Sequence, residues 1–254
     1  MGATQRVSTN DNVDVRTFAT VDELALDAAK EAVEAITKAQ SEHGHANVML
    51  ATGNSQLAFL EVLTGLDVDW STVTVLHMDE YVGVGEDHPA SFARYIRNRV
   101  VDKVHPANAF LVDGTNGVAA EIDRYTELLK EHPLDLTCLG IGENGHLAFN
   151  DPPVADFDDP VDVKEVELDA ACRQQQVGEG HFPSVDAVPR TAITLTIPAL
   201  LRARRVLAIV PELRKAEAVC AALTGPISTA CPASILRRTP HATLFLDADS
   251  ASRL

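Results

Sequence analysis

The 254-residue chain lacks the long apolar segments of a membrane protein. No apolar run approaches the roughly 20 residues that a membrane-spanning helix needs. The polar stretch from Met1 to Asp14 also lacks the apolar core of a signal peptide. We therefore expect a cytoplasmic protein that does not associate with membranes.

Cysteine pairs are also absent. The four cysteines are widely spaced, form no Cys-x-x-Cys pair and stand mostly in apolar surroundings: Cys138, Cys172, Cys220 and Cys231. This pattern predicts buried free thiols, and a catalytic cysteine is the weaker alternative because no candidate base accompanies Cys138. A structural zinc site needs clustered ligands, so we predict no metal site.

Positive charge is scarce. The sequence has 21 Lys and Arg against 37 Asp and Glu, which gives a formal net charge of −16. Nucleic acids and anionic membranes bind proteins mainly through Lys and Arg, so this charge argues against both as partners. An anionic small molecule is still a possible ligand if its pocket is locally positive.

Strand patterns alternate with helix patterns along the chain, whose composition is 46% hydrophobic. Strands are predicted at 47–51, 72–78, 110–112, 134–139, 161–168, 192–197, 206–210 and 242–247. Helices are predicted at 20–43, 57–63, 91–101, 119–130 and 214–223. This order is typical of βαβ units. It predicts an α/β protein with a single-domain, Rossmann-like open sheet over residues 16–254, mostly parallel, with helices on both faces.

Two other stretches have no such pattern. Residues 1–15 show no sustained period, which predicts a flexible tail or a short edge strand. Residues 172–188 form a long glycine-bearing connection, and a connection of that length is a candidate lid over a binding site.

The stretch from Leu139 to Pro153 carries the strongest functional signal. An apolar strand runs into glycines that allow positive φ and a close approach to a ligand, and His146 follows at the strand's carboxyl end. Asp151, five residues later, could reach back and orient the imidazole. An ordinary turn with a hydrogen-bonded loop histidine fits the glycine spacing about as well, so the residues alone leave both interpretations open.

Further polar residues stand at other predicted strand ends. Thr52, Gly53, Asn54 and Ser55 lie between a strand and a helix, an arrangement that aims N–H groups and hydroxyls at a phosphate, although a capped helix without a ligand looks similar. Asp79 and Glu80 follow the next strand, and only one of them should face a pocket because adjacent side chains in a strand point opposite ways. A pair of solvated acids is the alternative.

Lys215 lies in the first turn of the predicted helix 214–223. A cation at that place opposes the helix dipole. Either the side chain extends to solvent, or an anion holds it.

Three motifs together resemble the glucosamine-6-phosphate deaminase family. They are Gly-Ile-Gly-Glu-Asn-Gly-His-Leu-Ala-Phe-Asn-Asp-Pro around His146, His-Met-Asp-Glu-Tyr-Val-Gly around Asp79, and His-Pro-Ala-Ser-Phe from His88. The resemblance runs in order from about Ala51 to Asp247. This family belongs to a wider group that includes 6-phosphogluconolactonases.

The resemblance implies an amino-sugar phosphate isomerase and deaminase of hydrolase type that acts on glucosamine 6-phosphate without a cofactor or metal. His146 would exchange a proton with the ring oxygen, Asp151 would orient it, and Asp79 would move the proton from C2 to C1. Asn144 would complete the polar surroundings of His146. The implied substrate- and phosphate-binding residues are Thr52, Gly53, Asn54, Ser55, Gly145 and Lys215.

Two positions depart from the family pattern. Deaminases usually have Thr-Gly-Gly-Thr where this chain has Thr52-Gly53-Asn54-Ser55. The residue that matches Asp151 is commonly glutamate.

Two other functions are alternatives to deamination. A 6-phosphogluconolactonase shares the Gly-x-Gly-x-x-Gly-His core, but typically has Gly-Asp-Glu-Arg near Asp79 and Thr-Ala-Ser after the histidine, where this chain has Leu147-Ala148-Phe149. A sugar-phosphate sensor would bind without turnover. Both catalytic candidates, Asp79 and His146, are present, and no basic or helix-turn-helix segment is evident, which counts against the sensor.

The stretch from Pro153 to Lys164 predicts how the protein is regulated. In hexameric deaminases the matching stretch helps to bind the activator N-acetylglucosamine 6-phosphate. Here it contains four aspartates and a single cation: Asp156, Asp158, Asp159, Asp162 and Lys164. Carboxylates at that density repel a phosphate dianion. We expect a monomer or small homo-oligomer without this activation.

Overall fold

The computed structural model describes residues 5–6, 13–178 and 180–254. Its strands are β1 (Gln5–Arg6), β2 (Asp14–Phe18), β3 (Ala46–Leu50), β4 (Val73–His77), β5 (Asp79–Tyr81), β6 (Asn108–Phe110), β7 (Leu136–Leu139), β8 (Val163–Glu167), β9 (Thr191–Leu195), β10 (Arg205–Val210) and β11 (Ala242–Asp247). Its α-helices are α1 (Val21–His43), α2 (Leu57–Gly65), α3 (Phe92–Ile96), α4 (Asp102–Val104), α5 (Val118–Glu131), α6 (Ala170–Gly178), α7 (Ile197–Leu201) and α8 (Ala216–Thr224).

Eight strands form the central sheet in the order β1-β2-β11-β10-β7-β3-β4-β6. Only β1 is antiparallel to its neighbour. Helices flank the sheet, and successive residues of one strand enter different cores: Met49 joins one hydrophobic cluster, while Val48 and Leu50 join another. The predicted α/β fold with a mostly parallel sheet is confirmed.

A second, three-stranded sheet has the order β5-β9-β8 and is antiparallel throughout. The alternating patterns at 161–168 and 192–197 predict these strands but not the sheet they join. Strand pairing depends on contacts between distant residues, which a local pattern does not record. The central strand β4 ends at His77, Met78 follows, and β5 of this second sheet begins at Asp79.

Local signals set the bounds of α1. The Thr20 hydroxyl accepts a hydrogen bond from the Glu23 N–H at 3.2 Å, as the capping sequence predicts. Gly44 ends the helix in the left-handed conformation with φ of 78°. No helix among the described residues is long and apolar enough to cross a membrane.

The sequence interpretation was wrong or incomplete at several elements. The predicted connection 172–188 contains most of α6, and β2 extends to Phe18, beyond residues 1–15 for which a short edge strand was one of two predictions. The predicted helix 91–101 is α3 followed by a π-helical turn at Arg97–Val101, and the strand predicted at 110–112 lies at Asn108–Phe110. Residues 1–4 and 7–12, where most of the predicted tail falls, lie outside the described residues.

Candidate active site

The candidate active site is a cleft at the carboxyl edge of the central sheet. It lies where the chain changes direction across the sheet: β4 and β6 follow on one side of β3, whereas β7, β10 and β11 lie on the other. Ligands of open α/β sheets bind at such a switch point. The cleft is open to solvent, and the segments after β3, β4, β7 and β10 line it.

His146 faces the cleft and is held by Asp151. The distance from His146 Nδ1 to an Asp151 carboxylate oxygen is 2.8 Å, and Asp151 is only 1% exposed. Burial alone would raise the pKa of Asp151, but hydrogen bonds from His146 and Asn144 hold it below its ordinary value. An ionised Asp151 fixes the orientation of the ring.

Asn144 lies behind the histidine rather than in the cleft. Its side-chain amide donates to Asp151 at 2.8 Å, and its carbonyl oxygen accepts the His146 N–H at 3.0 Å. The asparagine therefore joins the carboxylate to the loop backbone. It can position His146 without touching a substrate.

Two glycines of this loop have different tasks. A Cβ on Gly142 would lie 2.2 Å from His146 Nε2, so only glycine leaves room for the ring. Gly145 has φ of 86°, and a Cβ there would meet Cys231 Sγ at 2.7 Å. Gly145 is absent from the cleft lining. The structure therefore places it against Cys231 and not beside the other predicted binding residues.

Asp79 faces the cleft from β5 and is 5% exposed. Burial, followed by the nearby charge of Glu80, raises its pKa well above the ordinary range. Glu80 points the other way and accepts hydrogen bonds from the Ser91 hydroxyl at 2.7 Å and the Ala93 N–H at 2.9 Å. The two acids are not solvated, and only Asp79 is available to a ligand.

His77, which precedes Asp79 in the motif, is fully buried. Burial lowers its pKa to about 3. It is therefore a neutral histidine of the protein interior.

The same cleft is also lined by the residues predicted to bind phosphate. Thr52, Gly53, Asn54 and Ser55 all line it, together with Lys215, which is 4% exposed. The first four residues precede α2, and Lys215 directly precedes α8. Two helix N-termini and one buried ammonium group thus meet at a place suited to an anion.

Glu212 adjoins this end in an unusual conformation. Its φ is 87°, which is strained for a residue other than glycine. Its N–H points at the Asp247 carboxylate at 3.2 Å, and its own carboxylate accepts a hydrogen bond from the Ser55 hydroxyl at 3.2 Å. These contacts stabilise the turn that positions Lys215 in the cleft lining.

The sequence did not predict the part of the cleft lining that α6 forms. Gln175 and Gln176 of α6 line the cleft, as does His181 just beyond the helix. Asp169 caps this helix, since its carboxylate accepts the Cys172 N–H at 2.6 Å. Asp169 is a residue type that favours helix N-caps, and it was the signal in the sequence for this helix.

Among the described residues, one group of side chains has the spacing to hold a metal ion. Candidate ligand atoms of His146, Asp151 and Cys172 lie within 4.8 Å of one another. His146 Nδ1, however, is already hydrogen-bonded to Asp151. That contact matches an acid–base pair better than two ligands that share an ion. The four cysteines are free, with Cys138 and Cys172 buried and the other two half-buried.

Comparison with known proteins decides the family. A sequence model described as glucosamine-6-phosphate isomerases/6-phosphogluconolactonase matches residues 19–245. The chain belongs to this family. The proteins named glucosamine-6-phosphate deaminase from Lactobacillus delbrueckii subsp. bulgaricus and Streptococcus pneumoniae serotype 4 are each 34% identical to it. The alignments cover 91% of the chain and 96% of the former protein, and 86% of the chain and 92% of the latter.

Solved structures of the family share the fold. A structure described as a monomeric glucosamine-6-phosphate deaminase superposes with a TM-score of 0.85 at 31% identity, covering 94% of this chain and 99% of that one. A 6-phosphogluconolactonase from Shewanella baltica superposes with a TM-score of 0.79 at 20% identity, covering 95% and 100%. The second likeness is evidence for the fold alone.

Proposed function

We propose that the protein is a glucosamine-6-phosphate deaminase that forms fructose 6-phosphate and ammonia. One arrangement carries the proposal: Asp79 and His146, which is paired with Asp151, line the same cleft as Lys215 and the 52–55 loop. A hexose phosphate spans such a cleft with its phosphate at the lysine and its C1 and C2 at the acids and bases.

Each proton transfer has a candidate group. As the sugar ring opens, His146 gives a proton to the ring oxygen and takes up the proton that the C1 hydroxyl loses, and Asp151 stabilises the imidazolium form of the histidine. Asp79 removes the proton from C2 and returns it to C1, which leaves an imine at C2. Water adds to this imine and ammonia leaves, so the net reaction is hydrolytic. The catalytic roles of Asp79, Asn144, His146 and Asp151 are part of this proposal.

A lactonase is the alternative within the family. The His146–Asp151 pair could activate water for attack on a lactone, and that reaction needs no transfer of a carbon-bound proton. The buried, raised-pKa Asp79 would then have no evident task. A sensor without turnover is the second alternative, and it leaves both groups unused.

The test compares two substrates under the same conditions. Purified protein receives glucosamine 6-phosphate, and ammonia and fructose 6-phosphate are measured, while 6-phosphogluconolactone hydrolysis is followed in parallel. We expect equal amounts of ammonia and fructose 6-phosphate. Hydrolysis of the lactone alone would establish the lactonase, and sugar-phosphate binding without either product would establish a sensor. Galactosamine 6-phosphate in the same assay determines the epimer preference.

A further inference from the structure

The side-chain amide of Gln176 has no task in the chemistry above. Gln176 lies on α6, lines the cleft and is 6% exposed. Its carbonyl oxygen accepts a hydrogen bond from the Tyr81 hydroxyl at 2.6 Å. A separation of 2.6 Å suits an O–H···O bond and is too short for N–H···O. The oxygen therefore faces Tyr81, and the amide nitrogen is directed elsewhere.

Tyr81 holds this amide rigidly. Its ring is fully buried and contacts three other rings, with centroid distances of 4.9 Å to Phe92, 5.3 Å to Phe149 and 5.3 Å to Phe182. Phe149 belongs to the loop that carries His146, and Phe182 follows α6. The aromatic cluster thus fixes α6 against the catalytic loop, so little conformational entropy is lost when the amide binds a ligand.

The chemistry of the amide nitrogen limits what it can recognise. Nε2 donates two hydrogen bonds and accepts none, so it fits an oxygen acceptor and not an ammonium group. No described residue accepts a hydrogen bond from it. The nitrogen is not fully buried, so it is accessible from the cleft, where a ligand oxygen can accept its hydrogen bonds.

The position of Gln176 indicates which part of the sugar its amide contacts. Asp79 and Tyr81 are two residues apart on β5, so their side chains share one face of that strand about 7 Å apart. Gln176, which is hydrogen-bonded to Tyr81, therefore lies near the carbon from which Asp79 removes a proton. If the proposed function is correct, C3 and C4 lie between this carbon and the phosphate at Lys215.

We propose that Gln176 is a specificity-determining residue that donates a hydrogen bond to the hydroxyl oxygen on C3 or C4 of the amino-sugar phosphate. The assignment rests on the proposed function. It adds a recognition element for the sugar itself, distinct from the acids and bases at C1 and C2 and from the phosphate end.

The test pairs an enzyme substitution with deletion of the substrate hydroxyl. In Gln176→Met the shape is nearly kept and the donor is lost, so kcat/KM for glucosamine 6-phosphate should fall about ten- to one hundredfold. With the 3-deoxy or 4-deoxy analogue that lacks the partner hydroxyl, the same substitution should cost less than about twofold. Gln174→Met is the matched control, because Gln174 is exposed on the same helix.

The outcomes separate this assignment from the proposed function. Wild-type protein that releases no ammonia from glucosamine 6-phosphate overturns both. An active wild type in which Gln176→Met loses the same factor on all three substrates, or loses nothing, overturns the assignment alone. If Gln176→Met does not fold, Tyr81→Phe replaces it, since that change keeps the ring packing but releases the amide. A smaller loss of kcat/KM with the same substrate dependence is then expected. A loss of kcat/KM that is equal for the substrates with and without the hydroxyl overturns the assignment.

Discussion

At the scale of single residues, the environment of Asp79 gives the sharpest prediction. Asp79→Asn keeps the shape of the side chain and removes the base. Turnover of glucosamine 6-phosphate should fall by roughly two to four orders of magnitude with KM little changed. Steady-state kinetics with the purified variant measure both constants, and near-normal turnover would remove Asp79 from its assigned role.

The raised pKa of Asp79 also affects folding. Burial and Glu80 favour its protonated form in the folded state. This contribution to stability is present at low pH and is lost as pH rises through the raised folded pKa. Asp79→Asn removes the penalty, so its unfolding temperature should exceed that of the wild type increasingly as pH rises. A difference that is the same at every pH would contradict the buried, raised-pKa carboxyl.

Gly142 offers a second prediction at this scale. A methyl group there would overlap the His146 ring, with 2.2 Å to Nε2 and 2.4 Å to Cδ2. Gly142→Ala should therefore displace the imidazole and reduce kcat about a hundredfold. Gly65→Ala is the control, because a Cβ at Gly65 meets nothing within 4 Å. Equal activity in the two variants would mean that the position of the His146 ring does not limit turnover.

At the scale of secondary-structure elements, the turns before α2 and α8 form the predicted phosphate end. Lys215→Met removes the ammonium group and keeps most of the chain's length. KM for glucosamine 6-phosphate should rise about ten- to one hundredfold, the effect of losing one hydrogen bond to a charged group. The small activity expected with unphosphorylated glucosamine should change far less.

The matched control for this lysine is Lys130→Met. Lys130 is exposed on α5, pairs with Glu127 at 2.7 Å and lies outside the cleft lining. Its removal should leave KM unchanged. An equal penalty for phosphorylated and unphosphorylated substrates in Lys215→Met would place Lys215 away from the phosphate.

At the scale of the whole molecule, the acidic stretch 153–164 determines what we expect of regulation. Its one cation, Lys164, is bound to Asp159 at 2.8 Å and to the Val154 carbonyl oxygen at 2.7 Å. Arg202 from outside the stretch pairs with Asp162 at 2.7 Å. The lysine is thus already committed to a carboxylate, and a phosphate effector would meet an excess of negative charge.

We therefore expect hyperbolic substrate saturation that millimolar N-acetylglucosamine 6-phosphate leaves unchanged, and a monomer or small homo-oligomer. Saturation curves with and without the effector, together with light scattering, test both expectations. A sigmoidal curve that the effector makes hyperbolic would contradict our interpretation of the acidic stretch.

Much of this protein can be predicted from local sequence. Thr20 and Gly44 mark the two ends of α1, and the apolar run at 242–247 marks β11, because capping and short apolar runs depend on neighbouring residues. The alternation of strands and helices predicts the mostly parallel sheet. Since parallel strands end at one edge, it also predicts that the segments carrying Asp79 and His146 meet there.

Only the tertiary structure determines where each side chain points and which residues it contacts. Gly145 belongs to the same motif as His146 yet packs on Cys231, and Gln176 reaches the cleft because Tyr81, 95 positions earlier in the chain, orients its amide. The antiparallel pairing of β5 with β9 has the same origin. Such contacts join residues far apart in sequence, so their free energy depends on the packing of the whole chain and leaves no periodic signal in any one segment.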